Sequence, residues 1–286
     1  MLTRIITALV GIVAAVGIVT YGGFVFALAV LTLGMLAWYE LQRMAANKGF
    51  HVYSITGGGG VLALLVLTGW FCINNCDRNL LFPLMIMVLV VALVAVCFEG
   101  LLRHCNRGEA NWAGDVALTV FGLLYCGLLF SHVLLLRSVQ GPQVHFLRAM
   151  EYGEALLWTV LIGTWASDTF AYFVGVTFGR HKFCSVSPKK SWEGAIGGYL
   201  GSMSLVILLA HRVLGICQFD AHIMGFVIAV SAPIGDLVES VLKRNFEVKD
   251  SGKLLPGHGG VLDRFDSLLF TAPLTYYVLL LGNLWK

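Results

Sequence analysis

Residues 80–98 read LLFPLMIMVLVVALVAVCF, an apolar run without one charged side chain. A transmembrane helix needs about 20 mostly apolar residues. Lipid offers backbone groups no hydrogen-bond partners, so a run of this length must be helical. Extended outward, the same reading gives nine spans, approximately Ile5–Thr20, Gly22–Tyr39, Ile55–Ile73, Leu80–Phe98, Val116–Leu136, Ala155–Phe178, Ala195–Leu214, His222–Leu242 and Leu268–Leu284. Gly22 and Gly23 make a tight hairpin of the first two. The glycine run Gly57 to Gly60 reads as a flexible helix entry, because no Lys-Ser/Thr pair follows to make it a phosphate loop. The expected fold is an all-α polytopic membrane protein. About five spans fall in residues 1–150, and residues 151–286 form a catalytic membrane region containing the segment 240–267.

Composition agrees with that reading. Of 286 residues, 58% are hydrophobic and 12% charged, and mean hydropathy is +0.83. A soluble domain carries roughly 25% charged residues, so a soluble enzyme, a disordered chain and a nucleic-acid binder are all excluded as first readings. A net charge of +3 is too small to name a partner. Cys72 and Cys76 flank a polar turn and can pair outside the cell, while no Cys/His spacing suits zinc. Arg4 before Ile5–Val19 mimics a signal peptide, but no clean cleavage site follows, so this stretch is expected to be a retained first helix.

Cytoplasmic loops are enriched in Lys and Arg. One set of alternate loops holds Arg4, Arg43, Lys48, Arg103, Arg107, Arg180, Lys182, Lys189, Lys190, Lys243, Arg244, Lys249, Lys253 and Arg264, which is 14 of 19 basic residues. That set is expected to face the cytoplasm, with the N-terminus inside and the C-terminus outside. The protein then belongs in the cell membrane, inner or plasma, as a multi-pass protein.

The basic residues are not evenly spread. Residues 243–267 carry nine charged side chains, among them Lys243, Arg244, Lys249, Asp250, Asp263, Arg264 and Asp266. A solvated loop explains charge alone. It does not explain Ser251, Gly252, Gly257, His258, Gly259 and Gly260 in the same stretch, where glycines let backbone N–H groups approach an anion. Asp236 and Glu239 lie in an apolar span and Asp168 in another, and an intramembrane carboxylate is a functional candidate. Asp236, Glu239, Ser240 and Lys243 share one helix face, as do Trp165, Asp168, Tyr172 and Gly175. In Ser187-Pro188-Lys189-Lys190-Ser191-Trp192-Glu193-Gly194, serine before proline predicts a helix starting at Ser187. Its N-terminus and two lysines form an anion site at the membrane surface.

Asp236, Asp263 and Asp266 can supply oxygen ligands to Mg²⁺. Phosphoryl and nucleotidyl transfer needs positioning and charge neutralisation. A phosphomonoester is already mostly dianionic at neutral pH, its second pKa being about 6, so no general base is required. His258 suits either a general acid or a phosphate ligand. The residues by themselves therefore point to a metal-dependent transferase acting on phosphates at the cytoplasmic membrane interface.

The segment from Ser240 to Asp266, in outline S-x-x-K-R-x4-K-D-x-G-x2-L-P-x-H-G-G-x2-D-R-x-D, closely resembles the signature of phosphatidate cytidylyltransferases, also called CDP-diacylglycerol synthases. Asp236, the stripe Trp165, Asp168, Ala171, Tyr172 and the segment from Ser187 to Gly194 resemble the family's other recurring features. The resemblance is strong over residues 160–270. It implies the reaction CTP plus phosphatidate to CDP-diacylglycerol plus pyrophosphate, by in-line attack on the α-phosphorus. It also implies metal binding at Asp236, Asp263 and Asp266, with Mg²⁺, room for a monovalent cation such as K⁺, and a homodimer. Lys189, Lys190, Lys243, Arg244, Lys249 and Arg264 are expected to neutralise phosphates. Ser187, Ser191, Ser251, Gly259 and Gly260 complete the phosphate-binding candidates. Asp168 and Asp250 either orient these cations or join the metal sphere. The rival readings are a cytidylyltransferase for an isoprenoid glycerol phosphate and a cation-coupled transporter, the latter lacking the paired repeats transporters often show.

Overall fold

Helices account for nearly all the regular structure. The computed structural model describes residues 2–107, 111–146, 148–182, 184, 187, 189–252, 254 and 259–282, leaving aside the side chains of residues 2–9 and of Arg107. The helices are α1 (Leu2–Tyr21), α2 (Gly23–Asn47), α3 (Ser54–Ile73), α4 (Arg78–Arg107), α5 (Trp112–Gly122), α6 (Leu129–Arg137), α7 (Tyr152–Phe178), α8 (Trp192–Arg212), α9 (Gln218–Asn245), α10 (Leu262–Phe265) and α11 (Leu268–Leu281). A two-stranded antiparallel hairpin, β1 (Val144–His145) and β2 (Ala149–Met150), precedes α7. Among the described residues, six helical runs are long and apolar enough to cross a membrane: α2, α3, α4, the run from α5 to α6, α8 and α9. Outward-facing Val90, Val91, Val94 and Phe98 on α4 suit lipid rather than water. This is an all-α membrane protein.

The chain divides into two compact units. One comprises residues 1–135 and 245–264, the other 136–244 and 265–286. In the first, the glycine run is not a loose entry but the opening turns of α3. A Cβ at Gly57 would stand 2.5 Å from the Trp38 ring, and one at Gly60 2.7 Å from Leu123. The missing side chains let α2 and the neighbouring span pack closely against α3. The predicted span Val116–Leu136 is interrupted by a π-helical turn at Leu123–Leu128, a register change that hydropathy does not register. Asp115 and Thr119 on α5 accept the backbone N–H groups of His51 (2.8 Å) and Tyr53 (3.0 Å), which anchors the α2–α3 connection.

In the second unit α7 and α8 pack along a seam of small residues. Cβ atoms at Gly194 and Gly198 would reach the Ala171 and Ser167 carbonyls at 2.8 and 2.6 Å. Ser202 Oγ donates to the Gly163 carbonyl at 2.8 Å. Thr164 and Thr271 join α7 to α11 at 3.1 Å. At the start of α7, Arg148 pairs with the buried Glu154, and Arg137 with Glu151 at 2.6 Å.

Candidate active site

α8 begins later than the serine–proline pair predicts. Its N-cap is Ser191, whose Oγ accepts from Gly194 N at 3.1 Å. The reason is local: Trp192 N donates to the His181 carbonyl at 2.9 Å, and Lys182 and Ser191 form an antiparallel bridge. That pairing keeps Ser191 extended, at φ −120° and ψ 156°, so the helix can start only after it. Glu193 adds to the clamp, accepting from Arg180 N at 3.1 Å and meeting His181 Nδ1 at 2.6 Å. Ser187 remains outside the helix, its carbonyl accepting Lys190 N at 3.0 Å.

This strap delivers Lys190 to the second unit's acidic cluster. Its ammonium pairs with Asp236 of α9. Asp168 of α7 and Asp266, just before α11, lie within electrostatic reach of the same ammonium. A Cβ at Gly235 would meet the Asp266 carbonyl at 2.5 Å, so glycine there lets α9 close on that segment. Burial pushes the Lys190 ammonium below its ordinary pKa, while the Asp168 and Asp266 carboxylates hold it up. Burial raises the Asp266 carboxyl above the usual range, opposed by its bond from Ser267 N and by Lys243 and Lys190. Lys243 is itself paired with the fully buried Glu239, one turn back on α9.

Three carboxylates around one ammonium offer hard oxygen donors of the kind Mg²⁺ takes. Among the described residues, no three His, Cys, Asp or Glu side chains form a ready metal cage. Mg²⁺ is usually held by one or two carboxylates plus substrate phosphates and water, so this donor set fits a metal that arrives with a polyphosphate.

The first unit contains the other part of the signature. Asp263 Oδ2 accepts from Ser251 N (2.9 Å), Ser251 Oγ (2.9 Å) and Gly260 N (2.8 Å). Gly259 has φ +84°, and a Cβ there would stand 2.5 Å from Asp263 Oδ2. The glycines therefore do bring N–H groups to an anion, and that anion includes the protein's own Asp263. Val261 N and Leu262 N, at the start of α10, donate instead to Glu40 of α2 at 2.8 and 3.0 Å.

Sequence reasoning missed Glu40. It lies one residue past an apolar run and reads there as an interfacial charge, yet it is 1% exposed. A cleft of about 340 Å³ lies beside it, lined by Arg43, Asn47, Lys249, Asp250, Ser251 and Gly252 among others. Lys48 and Glu247 pair at 2.6 Å in the same unit. Lys189, Arg244, Lys249, Asp250 and Arg264 are all exposed. His258 lies outside the described residues.

The sequence model of the cytidylyltransferase family matches residues 2–281. Curated relatives span the chain as well. Phosphatidate cytidylyltransferase 4, chloroplastic, of Arabidopsis thaliana is 36% identical over 93% of this chain and 70% of its own length. The phosphatidate cytidylyltransferase of Bacillus subtilis (strain 168) is 31% identical over 97% of each chain. That of Synechocystis sp. (strain ATCC 27184 / PCC 6803 / Kazusa) is 32% identical over 97% of this chain and 96% of its own.

Proposed function

Because this chain belongs to the cytidylyltransferase family, we propose that it transfers the cytidylyl group of CTP to phosphatidate, giving CDP-diacylglycerol and pyrophosphate. The observation that carries this reading is the Lys190 ammonium set among Asp236, Asp168 and Asp266. Joining two polyanions requires cations at the phosphates and carboxylates that orient those cations. The membrane setting supports a lipid substrate, whose acyl chains stay between helices while its headgroup reaches the water interface.

In this account the phosphatidate phosphate attacks the α-phosphorus in line and pyrophosphate leaves. The attacking group is already mostly dianionic, with a second pKa of about 6, so none of the carboxylates is needed as a base. Lys190 and Lys243 neutralise the phosphates, Lys190 oriented by Asp236 and Lys243 by Glu239. Asp236 and Asp266 would hold Mg²⁺, and the signature gives Asp263 the same role. Bound there, the metal supplies Lewis-acid polarisation and charge neutralisation at phosphate oxygens. Lys189, Arg244, Lys249 and Arg264 add positive charge at the surface. Apolar run length supports nine spans, and the placement of 14 of 19 basic residues supports a cytoplasmic N-terminus and a cytoplasm-facing site in the inner or plasma membrane. A homodimer and a monovalent cation such as K⁺ complete the proposal.

The test is pyrophosphate release by purified protein in mixed micelles with CTP. Release that requires both phosphatidate and Mg²⁺, matched by CDP-diacylglycerol, is the expected result. Turnover with an isoprenoid glycerol phosphate but none with phosphatidate would refute the lipid assignment.

A further inference from the structure

The carboxylate of Glu40 is almost fully buried at 1% exposure, and a buried carboxylate is tolerated when its oxygens are hydrogen-bonded. Its bonds come from Ser251 Oγ (2.9 Å), Val261 N (2.8 Å) and Leu262 N (3.0 Å). All three partners lie more than two hundred residues away in sequence, within the signature segment. Two glycines close the space. A Cβ at Gly252 would stand 2.5 Å from Glu40 Oε1, and one at Gly260 would overlap both Glu40 oxygens. Glycine at these positions is what allows backbone to reach a carboxylate so closely.

Ser251 links this carboxylate to a second one. Its hydroxyl is 2.9 Å from both Glu40 Oε2 and Asp263 Oδ2. A hydroxyl has one proton to donate, so backbone N–H groups must fix the two carboxylates: Val261 and Leu262 for Glu40, Ser251 and Gly260 for Asp263. Gly260 and Val261 are adjacent in the chain. A shift that frees Val261 from Glu40 therefore carries Gly260 away from Asp263.

We infer that Glu40 is a positioning residue for the signature segment: it holds Ser251, Gly260, Val261 and Leu262 where they fix the Asp263 carboxylate. This role rests on the cytidylyltransferase reading, and Glu40 itself touches no substrate. Outer-shell partners of this kind are typically worth about 10- to 100-fold in metal affinity or activity.

Asp115 supplies the control. It is also 1% exposed and accepts a backbone N–H, but from His51 at 2.8 Å, which lies outside the signature. Glu40→Gln keeps the volume and replaces one acceptor by an NH₂ that must face a donor. Hydrogen exchange of the purified full-length protein in detergent, without substrate, reads the Val261 and Leu262 amides directly. Exchange at both is expected to accelerate about tenfold or more in Glu40→Gln and to stay at the wild-type rate in Asp115→Asn. With CTP and phosphatidate, Glu40→Gln is expected to lower kcat about 10- to 100-fold and to raise the Mg²⁺ concentration needed for half-maximal rate. Asp115→Asn is expected to lower only Tm. If Glu40→Gln does not yield monodisperse protein, Glu40→Asp, which keeps the charge on a shorter arm, is read the same way with smaller changes. Unchanged exchange at Val261 and Leu262 in the folded variant overturns the inference, as does an unchanged Mg²⁺ requirement in an active one. A wild-type protein without turnover would sink the reaction assignment instead, and the exchange comparison would still decide the role of Glu40.

Discussion

Replacing Gly260 by alanine tests the carboxylate packing with one methyl group. The new Cβ would overlap Ser251 Oγ and both Glu40 oxygens. Backbone strain does not enter, because Gly260 is not among the residues with positive φ. Glu40 has little room to retreat, being 1% exposed with Gly252 also packed against its carboxylate. Two responses are open. The core can absorb the methyl at an overpacking cost of about 1–3 kcal/mol. Alternatively the segment moves away and loses three bonds to a charged acceptor, each worth about 1.5–3 kcal/mol. Absorption is the smaller cost, so destabilisation should fall near 2–3 kcal/mol, roughly a 5–10 °C drop in Tm. Turnover should fall with it, because the methyl presses on the hydroxyl that bridges Glu40 and Asp263. Thermal unfolding in detergent by tryptophan fluorescence, alongside turnover, measures both. Gly59→Ala is the companion: nothing lies within 4 Å of its Cβ position, and alanine in a helix interior gains up to about 1 kcal/mol over glycine. Its Tm should hold or rise. A Gly260→Ala protein matching wild type in both Tm and turnover would refute the packing of this site.

Asp266→Asn should abolish turnover while leaving stability intact or raised in Mg²⁺-free buffer. Burial lifts the folded-state pKa of Asp266 above its unfolded value, so its ionisation disfavours the fold as pH rises through that range, and Asn removes the penalty. Melting at neutral pH, compared with wild type, checks the sign; a clear loss of Tm would contradict it. Lys190→Met should lower turnover by roughly 10²- to 10³-fold, the usual loss of one electrostatic donor. It should also cost about 1–3 kcal/mol, because Asp236 loses its partner at a site that is only partly buried. A kinetic series in CTP checks it, and near-wild-type kcat would remove Lys190 from the chemistry.

Hydropathy picks out the six helical runs that, among the described residues, are long and apolar enough to cross a membrane, because charge is so scarce in them, but it measures the apolar thickness rather than the helix. The run Leu80–Phe98 sits inside α4, which continues to Arg107, and Glu99 and Arg103 pair at 2.5 Å across its next turn. Nothing at the edge of the apolar stretch interrupts the backbone bonding, so the helix goes on. Asp168, Asp236 and Lys190 stood out as charges in or beside apolar surroundings, and the structure brings them together. Choosing between Ser187 and Ser191 as a cap was beyond local pattern, since Ser191 is selected by pairing with residues 181–182. Glu40 was less legible still. Its environment consists of Ser251, Gly252, Gly260, Val261 and Leu262, and no window around residue 40 contains them.

The most direct test follows the phosphorus. CTP carrying radiophosphorus at the α position is incubated with wild-type protein, phosphatidate and Mg²⁺, and the lipid is extracted into organic solvent. The account predicts label in the lipid as CDP-diacylglycerol, none when the label is at the γ position, and none from the Asp236→Asn protein. Label entering lipid from the γ position, or full incorporation by Asp236→Asn, would contradict it.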